Sequence, residues 1–270
     1  MARRGRWPAP ILLPPHQVCT LLQSKCYSKL PEHPERLNDT KGISMKKFAV
    51  IGASSGTGLE IVRLLASRGQ HVRAISRRPL PATEFIEPYS ADVTEPNAIA
   101  RALDGDFDAV FFTADIHKRF ASRQEVRSLM FDGFMNSIHA AKKQTKHPKI
   151  VLLSVIGPDK PSWVWHLLNL AKRGMQKNVV DREAALAQSG LPYVIVRAAR
   201  LVNADDTMGQ ARAIAVTPAT HRLDMKRTIA RRELAKTLVA AAKSAPHGSI
   251  WDVFGDDDGS IPVWLRASSQ

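Results

Sequence analysis

Val50-Ile51-Gly52-Ala53-Ser54-Ser55-Gly56-Thr57-Gly58-Leu59-Glu60 reads VIGASSGTGLE, and the seven positions from Gly52 to Gly58 hold three glycines and three small hydroxyl residues. The run follows an apolar stretch, Phe48 to Ile51, and opens a segment of helical period that reaches Arg68 before Gly69. The order it spells is strand, bare turn, helix. Glycine at such a turn permits tight geometry, lets a ligand approach the main chain and lets the helix pack close to the strand. The amino terminus of the following helix then attracts a phosphate. The spacing Gly52-x3-Gly56-x-Gly58 differs from the general G-x-G-x-x-G fingerprint, so the reading of a dinucleotide site rests on the strand-turn-helix setting and not on the glycines alone.

Outward from this turn, short apolar runs alternate with longer segments of helical period, the pattern of a parallel sheet flanked by helices. Further strands are expected at His71 to Ser76, Phe85 to Ser90, Ala109 to Thr113, Ile150 to Ser154, Tyr193 to Val196 and Ile250 to Phe254. Helices are expected from about Thr57 to Arg68, from a Thr94 cap to Leu103, from Ser122 to Gln144, as one long helix ending near Ser189-Gly190, and from Arg231 to Lys243. The fold class is α/β: a Rossmann-like, doubly wound parallel sheet with flanking helices, one domain spanning residues 45–270.

A chain of 270 residues, 44% of them hydrophobic, can bury one sizeable core. The net charge of +14 raises nucleic acid or an anionic membrane as partners. The basic residues are spread along the chain, however, and no aromatic-plus-basic binding motif is present, so nucleic acid is disfavoured. No apolar run approaches the roughly 18 residues of a membrane span, and no membrane partner is expected. Both cysteines, Cys19 and Cys26, precede the body, so a thiolate metal site is not expected there, nor any other metal.

Residues 1–44 contain six prolines and no acidic residue before Glu32, and read as a disordered extension. Two explanations stay open: an organelle transit peptide, Arg-rich and acid-poor like Met1 to Leu30, or a start assigned upstream of the domain's own beginning at Met45. The matching locations are an organelle matrix for the first and the cytoplasm for the second.

At this point the chain resembles the short-chain dehydrogenase/reductase superfamily, over roughly Lys46 to Gly255. More specifically it resembles the atypical, NmrA-like branch with its flavin and biliverdin reductase relatives. The likeness is carried by the glycine turn, Asp92 after the third strand, Phe131-Asp132-Gly133, Ser154 after the fifth strand, and SGLPYVIVR from Ser189 to Arg197. It implies that Gly52, Ser54, Ser55, Gly56, Thr57 and Gly58 form the pyrophosphate turn. It also implies that Asp92 and Val93 lie beside the adenine and that Thr113 and Ala114 line the nicotinamide side.

The choice of nicotinamide is made at the end of the second strand, where a carboxylate would bond ribose hydroxyls and an arginine would take a 2′-phosphate. Here the residues are Ser76-Arg77-Arg78-Pro79, with no carboxylate before Glu84. Arg77, and after it Arg78, offer forked permanent charge, which predicts NADP(H).

Enzymes of the superfamily commonly use a tyrosine with a lysine four residues later, one helical face presenting both. The three tyrosines, Tyr27, Tyr89 and Tyr193, are followed at that distance by Pro31, Val93 and Arg197. The family pattern places Met175 and Val179 where the pair is expected. Ser154 is the remaining hydroxyl at a substrate-binding position, although a strand-end serine also bonds its own backbone. Lys177 and Glu183 fall on the helix expected to face the nicotinamide, and His117 and His166 are further acid candidates with no partner visible in the sequence. Arg227, Arg231 and Arg232 precede or open the late helix, where basic charge opposes the dipole and an anionic partner would explain it. Pro158 to Met175, with Trp163, Trp165, Leu167, Leu168 and Leu170, reads as a lid over an apolar substrate, a partner surface or core. The expectation is an NADPH-dependent oxidoreductase without the Tyr/Lys pair, acting on a small apolar or aromatic acceptor. The alternative is a non-catalytic NADP(H) sensor or scaffold of the NmrA-like kind.

Overall fold

The computed structural model describes residues 47–116, 118–203, 213–256 and 259–266. Strand β1 (Lys47–Ile51) alternates between two buried layers, with Phe48 and Val50 on one face of the sheet and Ala49 and Ile51 on the other. A strand covered on both faces has no use for a polar side, which is why its sequence is a continuous apolar run. Helix α1 (Gly56–Ala66) follows and buries Ile61, Val62 and Leu65 against the Phe48 face.

The remaining strands are β2 (His71–Ser76), β3 (Ile86–Ser90), β4 (Ala109–Phe112), β5 (Lys149–Val155), β6 (Tyr193–Ala198), β7 (Arg200–Val202), β8 (Ala213–Pro218), β9 (Thr228–Ala230) and β10 (Ser249–Asp256). Eight of them form one sheet in the order β3-β2-β1-β4-β5-β6-β10-β8, and β7 pairs with β9 separately. Every neighbouring pair is parallel except β10 with β8. The first six strands run in the 3-2-1-4-5-6 order of dinucleotide-binding sheets, so the expected Rossmann-like α/β fold is the one observed.

Helix α2 (Pro96–Ala102) and helix α4 (Gly133–Lys142) cover the Ile51 face, with Ile99, Phe134 and Ile138 in its core. Helix α3 (Arg123–Arg127) runs into α4 through a π-helical turn at Ser128–Asp132, and Ser122 closes its start with a capping box to Glu125. Helix α5 (Trp163–Ala171) and helix α6 (Met175–Ala187) share a third apolar cluster with Ile116, Met130 and Leu223. Helix α7 (Arg231–Ser244) packs beside α1, and the short α8 (Val263–Arg266) sets Trp264 against the same layer. Lys149 of β5 ties the sheet to the end of α7, its Nζ donating to the carbonyls of Ala241 and Ala245 at 2.8 and 2.7 Å.

Three local features correct or add to the expectations. Thr94 does not cap α2, which starts at Pro96 with Glu95 before it; the Thr94 amide and hydroxyl instead donate to Asp92 Oδ1 at 2.9 and 2.8 Å. Proline sets φ for a first helical turn, which moves the start past Thr94. The helix expected to end near Ser189-Gly190 is α6, which ends at Ala187 and is set apart from α5 by Lys172 at φ −125° and Gly174 at φ +79°. Strands β7, β8 and β9 belong to no expected element; two of them span three residues each, too short to show a period.

Candidate functional site

A cleft of about 570 Å³ opens at the carboxyl ends of β1, β2, β4 and β5. One end is main chain. Gly52 sits at φ +88°, and a Cβ there would stand 2.8 Å from the Ala114 nitrogen. A Cβ on Gly58 would stand 2.3 Å from the Gly52 carbonyl oxygen and 2.6 Å from Thr113 Oγ1. Gly58 therefore lets α1 sit on the end of β1 and is not itself among the cleft residues, whereas Gly52, Ser54, Ser55, Gly56 and Thr57 are. Thr113 and Ala114 also line the cleft, and Thr113 Oγ1 donates to the Ile51 carbonyl at 2.8 Å.

This end fits a dinucleotide phosphate on observations independent of the motif. Ser55 precedes α1 without a side-chain cap, so its first-turn N–H groups are left for a ligand. Thr57 Oγ1 is buried without a partner among the described residues and faces the same turn. At the end of β2, Arg77 and Arg78 are exposed and line the cleft, and Ser76 Oγ closes the turn on the Arg78 carbonyl at 2.6 Å. Asp92 and Val93 line it beyond them. Gly133 explains its place after Phe131-Asp132, since a Cβ there would meet the Val93 side chain at 2.9 Å. Arg231 completes this end: it lines the cleft, donates to Asn203 Oδ1 at 2.8 Å, and places Nε 3.6 Å from where a Gly56 Cβ would be. The unfavourable charge at the start of α7 was the sequence signal for it, and only the packing of α7 beside α1 supplies its target.

The other end is side chain. Ser154 lines the cleft, and its hydroxyl donates to Glu183 Oε1 at 2.5 Å, so its partner is a carboxylate rather than its own backbone. Glu183 also receives Arg197 Nη2 at 2.7 Å, and Arg197 Nη1 reaches Asp159 at 3.2 Å. The Glu183 and Arg197 side chains are 7% and 8% exposed, which makes this a buried pair. Arg182 lines the cleft, and so does Lys172, whose Nζ donates to the Ile116 carbonyl at 2.6 Å. Met175 lines it as well, with Val179 buried one turn below.

Lys177 is not brought to the cleft. It lies about 200° around α6 from both Met175 and Val179, on the exposed face, where it pairs with Asp181 at 2.8 Å. Its expected position ignored that the buried stripe of α6 is set by residues 175, 179, 182, 183 and 186. His166 is exposed on α5 and does not line the cleft, and His117 lies outside the described residues. Neither tyrosine nor histidine occurs among the cleft residues described. Val164 and Trp165 of α5 are core, while Trp163, Leu167 and Leu170 are exposed, so core packing accounts for only part of this helix. The described residues contain no group of three or more metal-ligating side chains and no helix long and apolar enough to cross a membrane.

Residues 52–245 match the family described as NAD(P)H-binding. No curated protein matches the sequence. Among solved structures the fold is similar to the oxidoreductase ylbE of Lactococcus lactis, at 16% identity and a TM-score of 0.66, covering 82% of this chain and 95% of that one. It is similar to a wide-type short-chain dehydrogenase/reductase of Veillonella parvula in complex with NADP, at 15% identity and a TM-score of 0.62, covering 81% and 99%. It is also similar to ChuY, an anaerobillin reductase of Escherichia coli O157:H7, at 15% identity and a TM-score of 0.59, covering 81% and 100%. The family match spans most of the described residues, the glycine turn included, and this chain belongs to the NAD(P)H-binding family.

Proposed function

We propose that this protein is an NADPH-dependent reductase of the atypical short-chain type, working without a tyrosine acid on a small apolar or aromatic acceptor. The carrying observation is one cleft that holds the phosphate turn and Arg77 and Arg78 at one end and Ser154 at the other. The two arginines, with no carboxylate at the end of β2, support NADPH over NADH.

A bound reduced nicotinamide supplies the hydride. Ser154 then acts by position. Its proton is directed to Glu183, which also accepts from Arg197, so it offers the cleft lone pairs and holds an N–H or O–H of the acceptor. The acceptor's proton comes from solvent, which suits flavins and quinones better than reactions that need a fixed acid. Leu129, Met130, Val164, Leu168 and Met175 supply the apolar wall.

The test is a titration of the full-length protein with NADPH and NADH, then NADPH consumption against flavins, quinones and aldehydes. Arg77→Ala is expected to weaken NADPH binding about tenfold and leave NADH unchanged, one charge-assisted hydrogen bond being worth about 1.5–3 kcal/mol. Equal affinities in the parent protein would overturn the cofactor assignment. A second reading, a sensor that binds NADP(H) without turnover, is favoured by the absence of tyrosine and histidine from the described cleft, and tight binding with no turnover across the panel would establish it.

A further inference from the structure

The acceptor end of the cleft contains a cation, Arg182, that makes no direct ion pair among the described residues. Arg182 is 3% exposed and lines the cleft. It donates one hydrogen bond, from Nη2 to the Leu153 carbonyl at 3.1 Å, and its Nε is buried without a partner among the described residues. Glu183, next in sequence, is committed to Arg197 and Ser154. Asp115 shares the cleft but turns Oδ1 to the Ile116 amide at 2.7 Å, and none of the described ion pairs includes Arg182. Burial pushes the guanidinium below the ordinary arginine value, a tendency that the fields of Asp115 and Glu183 oppose.

A buried guanidinium with five N–H donors and one bond is a costly arrangement, and a ligand that supplies an anion relieves it. The cofactor phosphates are not that anion. Their turn follows β1, two strands from β5 and so roughly 10 Å away, with its own donors in Thr57, Arg77 and Arg231. The same cleft has an apolar wall, from Met130, Val164, Leu168, Met175 and Leu223, and Lys172 lines it as a second cation.

We propose that Arg182 anchors a carboxylate of the acceptor, which makes the substrate class an apolar or aromatic acid. Its apolar body lies against the methionine and leucine wall while the carboxylate takes the guanidinium fork. This rests on the reductase reading and narrows its acceptor.

The probes are 2-naphthoate and 2-naphthamide, which share a ring system and differ in charge, titrated calorimetrically into the NADP⁺-loaded full-length protein. The acid is expected to bind about tenfold or more tightly than the amide, the worth of a charge-assisted pair. That preference disappears in Arg182→Met and is retained in part in Arg182→Lys. Equal affinities in the parent, no binding of the acid, or a preference that survives in Arg182→Met would overturn the anchor. Should Arg182→Met fail to fold, the parent comparison and Arg182→Lys still decide. The prior NADP⁺ titration reads the cofactor assignment separately: its failure sinks the reductase reading, whereas normal NADP⁺ binding with no acid preference sinks only the anchor.

Discussion

Around Gly52 and Gly58 the cleft wall is backbone packed so closely that one methyl group would overlap it, while at Ser154 and Arg182 it is side chain from β5 and α6, with Ser154 held by the buried Glu183–Arg197 pair. The first end depends on shape at its glycine turn, where no volume can be added, and sets Arg77, Arg78 and Arg231 beside that turn. The second depends on pairings: Glu183 serves Ser154 and Arg197 together, and Arg182 keeps most of its donors unused. A cleft divided in this way has a turn fixed by main-chain packing at one end and, at the other, side chains that can change without disturbing that turn.

The largest effect expected is on the paired end. Glu183→Ala leaves Arg197 buried with only the more exposed Asp159, and breaking a buried pair costs about 3–5 kcal/mol, to be read from urea unfolding. NADPH affinity of the folded variant should change far less; an equal loss of both would mean that the two ends are not separable.

Next comes Gly58→Ala, where the added methyl meets the Gly52 carbonyl and Thr113. Overpacking of this kind costs about 1–3 kcal/mol, and because α1 must shift, NADPH binding should be lost with it. Retained affinity would show that the turn can move with the helix.

The smallest effect is away from both ends. Burial lowers the Lys149 amine from 10.5 to about 8, so between those values the unfolded chain holds the proton more tightly than the folded one. Stability contributed by this residue therefore rises as pH rises from about 8 to about 10.5, since the folded state is relieved of a buried cation. Lys149→Met should lack that rise when urea midpoints are compared at the two limits. An identical pH profile in both proteins would mean that the two carbonyls of α7 stabilise the ammonium enough to offset its burial.

How much was legible follows the same division. Strand β1, the turn and α1 could be read because their signals are contiguous: an apolar run, three glycines and a helical period within Phe48 to Arg68. Arg77 and Arg78 were legible as chemistry at a strand end. Lys177 was misplaced because membership of a helix does not say which way a charged residue points; the buried stripe of α6 turned it to solvent. The start of α6 was hidden for a related reason, since the residues on both sides have apolar helical spacing and the break between them lies in the backbone of Lys172 and Gly174.

By itself the sequence determined the α/β class, the glycine turn and the basic end of β2, all of which rest on residues near one another in the chain and on backbone preferences that act locally. Tertiary structure alone decided that Arg231 reaches the Gly56 turn, that Glu183 joins Ser154 to Arg197, and that Arg182 is left facing the cleft with donors to spare. The physical reason is that a charge is assigned its partner by strand order and helix packing, which bring together residues far apart in the chain, and hydrophobic period records which face is buried but not what the buried charge will meet.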